Sequence, residues 1–328
     1  MRGSGRMNCH ELRVGTRGSQ LALCQANWVK DQLTRFHPRL HVDLTIIKTT
    51  GDKIQDAPLA KIGGKGLFVK EIEEALIQRR VDLAVHSVKD VPTEFPEGLH
   101  LAAITKREDP RDVFISRDGT RLKDLPRNAK IGTSSLRRQA QLLHFRNDFE
   151  MIPLRGNLDT RLRKLHTTNL DGIVLALAGV KRMGFEDRIT EILSVEISLP
   201  AIGQGALGIE TRMNDPAVEE DIQFLNDPDS AITVSGERAF LKKLEGGCQV
   251  PIAAYGQRTG STLQIDGMVG TVDGKRLIRH RVRGPVEKAE FLGVELAEIL
   301  LRKGAREILT EIYQRSAPSV SIDDRNHE

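Results

Sequence analysis

A single cysteine stands in the segment Glu245-Gly-Gly-Cys248-Gln-Val-Pro251, behind two glycines that permit backbone geometries closed to other residues and before a proline that stops a helix. Buried structural cysteines usually sit inside apolar runs, so a thiol displayed here can react. Against that stands the ordinary fate of a lone cysteine with no activating histidine beside it, which is an inert structural one. A second site-like stretch is Asp82-Leu-Ala-Val-His86-Ser87-Val88-Lys89-Asp90-Val91-Pro92, where an apolar strand runs straight into a turn carrying His, Ser, Lys and Asp. A carboxylate held there can protonate a leaving amine or steady a cation, and its structural alternative is a helix N-cap. Arginines then recur where strands end and helices begin: Arg17, Thr133-Ser-Ser135-Leu-Arg137-Arg138, Arg155-Gly156-Asn157 with Arg161, and Lys181-Arg182. Singly, each is more often solvated or ion-paired. Their shared position beside Gly and Ser favours convergence on a ligand carrying several carboxylates or phosphates.

Two glycine patterns suggest nucleotides and fail in detail. Gly203-Gln-Gly205-Ala-Leu-Gly208 fits G-x-G-x-x-G, but Pro200 interrupts the strand that should precede it, and Ala206 to Glu210 reads as strand instead of helix. Gly63-Gly64-Lys65-Gly66 lacks the Ser/Thr and the glycine spacing of a phosphate loop. It is expected to be a mobile loop able to cover a ligand.

These groups need a frame, and the apolar periodicity supplies one. Leu12 to Thr16 and Val42 to Lys48 read as strands around a helix striped by Leu21, Cys24, Trp28, Gln32 and Phe36. A helix marked by Phe68, Ile72, Ala75 and Leu76 comes next, then a strand at Leu83 to Val85, with similar alternation through Lys130–Gly132, Leu136–Phe145, Met151–Leu154 and Gly172–Ala176. This is α/β layering with a mainly parallel sheet. After a long helical pattern ending at Leu244 the character changes. Strands at Leu263 to Val272 and Lys275 to Val282 flank an Asp273-Gly274 hairpin signal, and a helix striped by Leu292, Leu296 and Ile299 completes a small α+β unit. No internal repeat is visible.

The chain of 328 residues is long enough for two or three domains, and it has no apolar run of membrane-spanning length. Its 49 Lys+Arg against 45 Asp+Glu and 4% aromatic content exclude the basic, aromatic-rich platform of single-strand nucleic-acid binders. Cys9, Cys24 and Cys248 are too few and too scattered for a disulfide framework, and no ligand spacing points to a metal. Residues 1–5 read as an expression leader, and 316–328 as a polar, disordered tail.

In order along the chain, Gly15-Thr-Arg17-Gly-Ser19, Lys61-Ile-Gly-Gly-Lys65-Gly-Leu-Phe68, Val85-His-Ser-Val-Lys-Asp-Val-Pro92, Gly132-Thr-Ser-Ser-Leu-Arg-Arg138, Leu154-Arg-Gly-Asn157 and Glu245-Gly-Gly-Cys-Gln-Val-Pro251 closely resemble the porphobilinogen deaminase family. The resemblance covers residues 11 to 315. It implies a hydroxymethylbilane synthase, a transferase of haem and tetrapyrrole biosynthesis. Such an enzyme condenses four porphobilinogens, with loss of ammonia, onto a dipyrromethane cofactor and hydrolyses off the linear product. It also implies two periplasmic-binding-protein-like α/β lobes, 11–105 with 206–224 and 106–205, plus a C-terminal α+β domain, 225–315, carrying the cofactor cysteine.

Residue by residue, the resemblance makes Cys248 the thioether attachment point and Asp90 the catalytic carboxylate that protonates the departing amine and steadies the azafulvene-like cation. It assigns Ser87, Lys89, Asp90, Thr133, Ser135, Arg137, Arg138, Arg155 and Gly156 to the cofactor. Arg17, Ser19, Gln25, Arg155, Arg161, Arg182 and Gln204 fall to the substrate, and Lys61, Gly63, Gly64, Lys65, Gly66 and Phe68 to a mobile loop. The residue set suits that chemistry, because every pyrrole carries two carboxylates and guanidinium groups are apt counter-charges. Cys9 and Cys24 remain structural, and His86 an orienting or packing group. Gln20, Val88 and Leu158 stand where Pro, Met and Val are common in the family, and the compact stretch after Cys248 looks bacterial. The expectation is a cytoplasmic monomer that takes porphobilinogen, binds neither nucleic acid, metal nor membrane, and passes its product to uroporphyrinogen III synthase. A small-anion binding protein or sensor on the same two lobes is the competing possibility. It would need neither Asp90 nor Cys248.

Overall fold

The computed structural model describes residues 11–53, 69–245 and 250–316. Cys9, Cys248, the leader, the Lys61–Phe68 loop and the tail beyond Ser316 lie outside them. Thirteen strands occur in the described residues: β1 Glu11–Thr16, β2 His41–Ile46, β3 Leu83–Ser87, β4 Leu99–Ile104, β5 Asp112–Ser116, β6 Lys130–Gly132, β7 Glu150–Ile152, β8 Gly172–Ala176, β9 Glu191–Ile192, β10 Leu207–Arg212, β11 Ile252–Thr259, β12 Thr262–Gly270 and β13 Leu277–Pro285.

They form two five-stranded sheets and one three-stranded sheet, ordered β2-β1-β3-β10-β4, β7-β6-β8-β5-β9 and β11-β12-β13. The first two share one plan. In each, three strands pair in parallel, a single antiparallel strand enters fourth, and the fifth pairs antiparallel to that one. The mainly parallel expectation therefore holds for strand direction, with one reversed strand per lobe. This structural repeat has no counterpart that can be read in the sequence. The reversed strand marks where the chain crosses: β5 opens the second lobe, and β10 returns to complete the first.

The first helix, Gln20–Phe36, begins at Ser19, whose hydroxyl accepts from Ala22 N at 3.3 Å. It buries Gln25, Ala26, Val29 and Leu33, one step from the expected stripe. Trp28 (43% exposed) and Phe36 (60%) face outward. The helices Lys70–Ile77 and Leu136–Phe145 form where their apolar spacing predicts, the former burying Ile72, Ala75 and Leu76. In the last unit the helices Pro228–Lys243 and Ala289–Leu300 cover the antiparallel sheet over a core that includes Phe240, Leu263, Ile265, Leu292 and Leu296. That sheet has one strand more than the two expected, because β11 pairs along its whole length with β12. A final helix, Arg306–Ser316, ends where the polar tail was expected to begin, and Tyr313 Oη donates to Glu245 O at 3.0 Å.

The crossing segments are pinned to the last unit by Glu237. Its buried carboxylate accepts from Arg107 Nη1 at 2.5 Å, Gly203 N at 2.7 Å and Gly256 N at 2.7 Å. Gly205, at φ +96°, could not carry a side chain, because a Cβ would sit 2.3 Å from Glu108 O. That tight turn presents Gln204 to the cleft between the lobes.

Candidate active site

Open α/β sheets bind ligands outside the carboxyl ends of their parallel strands, and here two such ends face each other. Arg17 and Ser19 follow β1, Ser87 ends β3 and Val88 to Asp90 follow it, Ser135, Arg137 and Arg138 follow β6, Arg155 and Gly156 follow β7, and Arg182 ends the helix after β8. All of these line one cleft of about 810 Å³, together with Gln25, Arg161 and Gln204. Nine basic side chains and two acidic ones, Asp90 and Asp159, line it among the described residues. Thr133 does not reach the wall. It is buried, and its hydroxyl accepts from Ser135 N at 3.2 Å. Lys181 also turns away, to Glu108 at 2.8 Å.

Each wall is held locally. Gln25, on the inner face of its helix, pairs with Ser87 across the lobe (Nε2 to Oγ, 2.9 Å). Asp90 closes a 3₁₀ turn, Val88–Asp90, and is exposed in the cleft, so it caps no helix. Beside it, removal from bulk water pushes the Lys89 ammonium down to about 8, a trend that Asp90 opposes and Arg138 and Arg137 reinforce. Burial likewise lowers Arg161, to about 10, and Arg182. Arg161 Nε donates to Gly156 O at 2.8 Å and Arg182 Nη2 to Gly205 O at 2.7 Å.

Asp112, at the head of β5, was not anticipated and is the hub of the second lobe's wall. It is 0% exposed and accepts from Arg137 Nη1 (2.8 Å), Arg138 Nη2 (2.7 Å), Ser198 Oγ (2.7 Å) and Gln204 Nε2 (2.9 Å). Burial alone would raise its carboxyl, but the two guanidinium groups and their hydrogen bonds hold it far below the usual carboxylate range. The expected pair of ligand-gripping arginines is therefore first a buried Arg-Asp-Arg cluster, with only part of each guanidinium left for a ligand. The cue in the sequence is an acid placed directly before the apolar run of β5. Lys48 and Lys164 also line the cleft and were not singled out.

Two buried atoms on this wall have no hydrogen-bond partner among the described residues: Arg138 Nε, a donor, and Gln204 Oε1, an acceptor. Burying such groups unpaired is costly, so their presence marks a place for a ligand offering an anionic oxygen and an N–H. A pyrrole bearing acetate and propionate has both, and the excess of basic groups matches several carboxylates. The described residues therefore fit a dipyrromethane.

A family model described as the porphobilinogen deaminase, dipyromethane cofactor binding domain matches residues 12–220, and one described as the C-terminal domain of porphobilinogen deaminase matches 231–302. Porphobilinogen deaminase of Geobacter sulfurreducens is 59% identical over 309 residues, covering 94% of this chain and 97% of that protein. The enzyme of Pelobacter propionicus is 58% identical over 305 residues, covering 93% and 98%. Among solved structures, the methionine-binding protein MetQ aligns with 65% of this chain and 87% of its own, at a TM-score of 0.42 and 12% identity, a likeness too slight to carry argument. With family models spanning both lobes and the last unit, and relatives aligned nearly end to end, the chain belongs to the porphobilinogen deaminase family.

Proposed function

We propose that this chain is a hydroxymethylbilane synthase. It joins four porphobilinogens head to tail, with loss of ammonia, onto a dipyrromethane primer held by Cys248, and releases the linear tetrapyrrole by hydrolysis. The observation that carries this most directly is the convergence of Asp90 and nine basic side chains on one cleft in a chain of this family. The primer supplies the nucleophilic pyrrole carbon. What the chain contributes is grip, orientation and one proton. Arg17, Arg155, Arg161 and Arg182 take ligand carboxylates, with Ser19 and Gln25 at the first lobe's wall. Arg138 Nε and Gln204 Oε1 hold an acid group and a pyrrole N–H, while Lys89, Ser87, Ser135, Arg137 and Gly156 complete the primer's cradle. Asp90 gives a proton to the departing amine, which leaves with the electron pair of its C–N bond, and then accepts from pyrrole N–H groups as positive charge develops. Thr133 acts through Ser135, positioning it. Cys248 and the Lys61–Phe68 loop lie outside the described residues, and their roles rest on the sequence alone.

We further propose the domain limits 11–105 with 206–224, 106–205 and 225–315. The protein acts as a cytoplasmic monomer that passes its linear product to uroporphyrinogen III synthase. No helix among the described residues is long and apolar enough to cross a membrane.

The deciding measurement is the intact mass of the denatured protein. An excess equal to two porphobilinogens less two ammonias is expected, and is expected to vanish in Cys248→Ser. An unmodified mass that stays unmodified after incubation with porphobilinogen would remove the enzyme and leave an anion-binding protein. Lys89 adds a pH dependence. Because its ammonium is lowered to about 8, it is cationic below that pH and neutral above. Porphobilinogen binding to Cys248→Ser protein should therefore weaken as pH rises through about 8, whereas Lys89→Arg, cationic throughout, should flatten that decline. Parallel curves for the two would take Lys89 out of carboxylate binding.

A further inference from the structure

The helix Arg306–Ser316 is remote from Cys248 in sequence, yet it packs against both ends of the segment that carries that residue. Leu244, just before the segment, and Val250, just after Cys248, share one buried cluster with Ile308 and Leu309, and Ile312 packs against the same cluster. The chain comes back to this place through a break at Gly304, whose φ of +105° kinks the backbone between the helices Ala289–Leu300 and Arg306–Ser316. Another face of the last helix is pinned to the hairpin of β12 and β13, where Arg276 Nη2 donates to Glu311 Oε1 at 2.7 Å and to Oε2 at 2.8 Å. Core packing and this ion pair fix the helix without help from Tyr313.

Tyr313 reaches from that fixed frame to the backbone of Glu245, where its Oη donates to Glu245 O at 3.0 Å. Burial, then the charge of Glu245, raises the phenol, so it stays a donor. Glu245 is the first residue beyond the helix Pro228–Lys243 and its cap Leu244, and its N–H donates to Lys242 O at 3.0 Å. It sits at φ +53°, the left-handed position in which helices ordinarily end on Gly or Asn. Glutamate populates that region rarely when left to itself, so a bond from outside shifts its population.

We propose that Tyr313 is a positioning residue for attachment of the primer: by holding Glu245 O it keeps the backbone there left-handed, and so sets the direction in which the chain leaves the helix toward Cys248, three residues on. This rests on the function proposed above, with Cys248 as the attachment point. Tyr313 is not among the residues that line the cleft, so its action runs through the backbone. A bond that only tied down the last helix would stabilise the fold and leave the chemistry of the thiol alone.

The test is the rate at which the full-length chain, made in cells that lack porphobilinogen, gains the mass of the primer on mixing with porphobilinogen. Wild type, Tyr313→Phe and Tyr313→Phe/Glu245→Gly are compared. Loss of the one hydrogen bond should slow loading by roughly three- to tenfold in Tyr313→Phe, which keeps the ring and its packing. Glycine enters the left-handed region at no steric cost, so the double variant should recover to within about twofold of wild type. Equal loading by wild type and Tyr313→Phe overturns the proposal, because a merely structural bond would lower the unfolding midpoint and leave the loading rate of folded protein unchanged. A double variant no faster than Tyr313→Phe overturns it as well, since the bond would then act on something other than the backbone at Glu245. Hydrogen exchange on the same proteins separates this proposal from the function beneath it. The Glu245 amide should exchange roughly threefold faster or more in Tyr313→Phe, and an unchanged rate overturns the anchor. A wild-type chain that gains no mass defeats the functional proposal, and the exchange rates still judge the anchor.

Discussion

Asp90→Asn is expected to lower the rate of hydroxymethylbilane formation by roughly 10²-fold or more, with the fold intact. The amide keeps the size and hydrogen-bonding outline of the carboxyl but can neither deliver the proton a departing amine needs nor balance positive charge. Exposed at the end of a 3₁₀ turn, the side chain is no part of the core, so the substitution should change stability by no more than about 0.5 kcal/mol. Rate and stability are therefore separable at this position. Single-turnover progress curves, with unfolding curves on the same preparation, give both, and a near-normal rate would remove Asp90 from the mechanism.

Asp112→Asn is expected to do the reverse and strike stability first. The wild-type carboxylate receives two guanidinium groups, a hydroxyl and an amide in a place without solvent access. Its neutral isostere leaves Arg137 and Arg138 as buried, mutually repelling cations. Breaking such a cluster from one side costs about 3–5 kcal/mol, because the desolvation of the remaining charges is no longer offset. Urea unfolding should show a lowered midpoint with little change in slope. A cost below about 1 kcal/mol would mean that solvent reaches the cluster. Elongation should fail as well, since Arg138 of the Leu136–Phe145 helix loses the carboxylate that fixes its guanidinium in the cleft wall.

Much of this was legible in the chain. Strands at Lys130–Gly132 and Gly172–Ala176 and the helix Leu136–Phe145 lie where apolar periodicity and flanking glycines put them. All but Lys181 of the residues picked as strand-end cations converge on one cleft, because strand ends are where α/β sheets gather ligand groups. The first helix shows the limit of periodicity. Its apolar residues offer two adjacent stripes, and the choice is made by a polar residue, Gln25, drawn inward by Ser87 of β3, while bulky Trp28 is left outside. Asp112 was missed for a related reason: its partners, the adjacent Arg137 and Arg138 together with Ser198 and Gln204, lie 25 or more residues away along the chain, so no local spacing announces them. The reversed strands were hidden too, since strand direction depends on where the chain has been and not on what the strand contains.

That last feature fixes an order of events in biosynthesis. The strand β10, which lies between β3 and β4 in the first sheet, leaves the ribosome only after every residue of the second lobe. Until then β4 has no partner in its sheet, and β3 offers an open edge where β10 will lie. At about 5–20 residues per second this gap lasts from roughly five to more than twenty seconds. The lobe made first is thus the lobe finished last, and the nascent chain passes through a stage in which its amino-terminal sheet needs shielding from other strand edges.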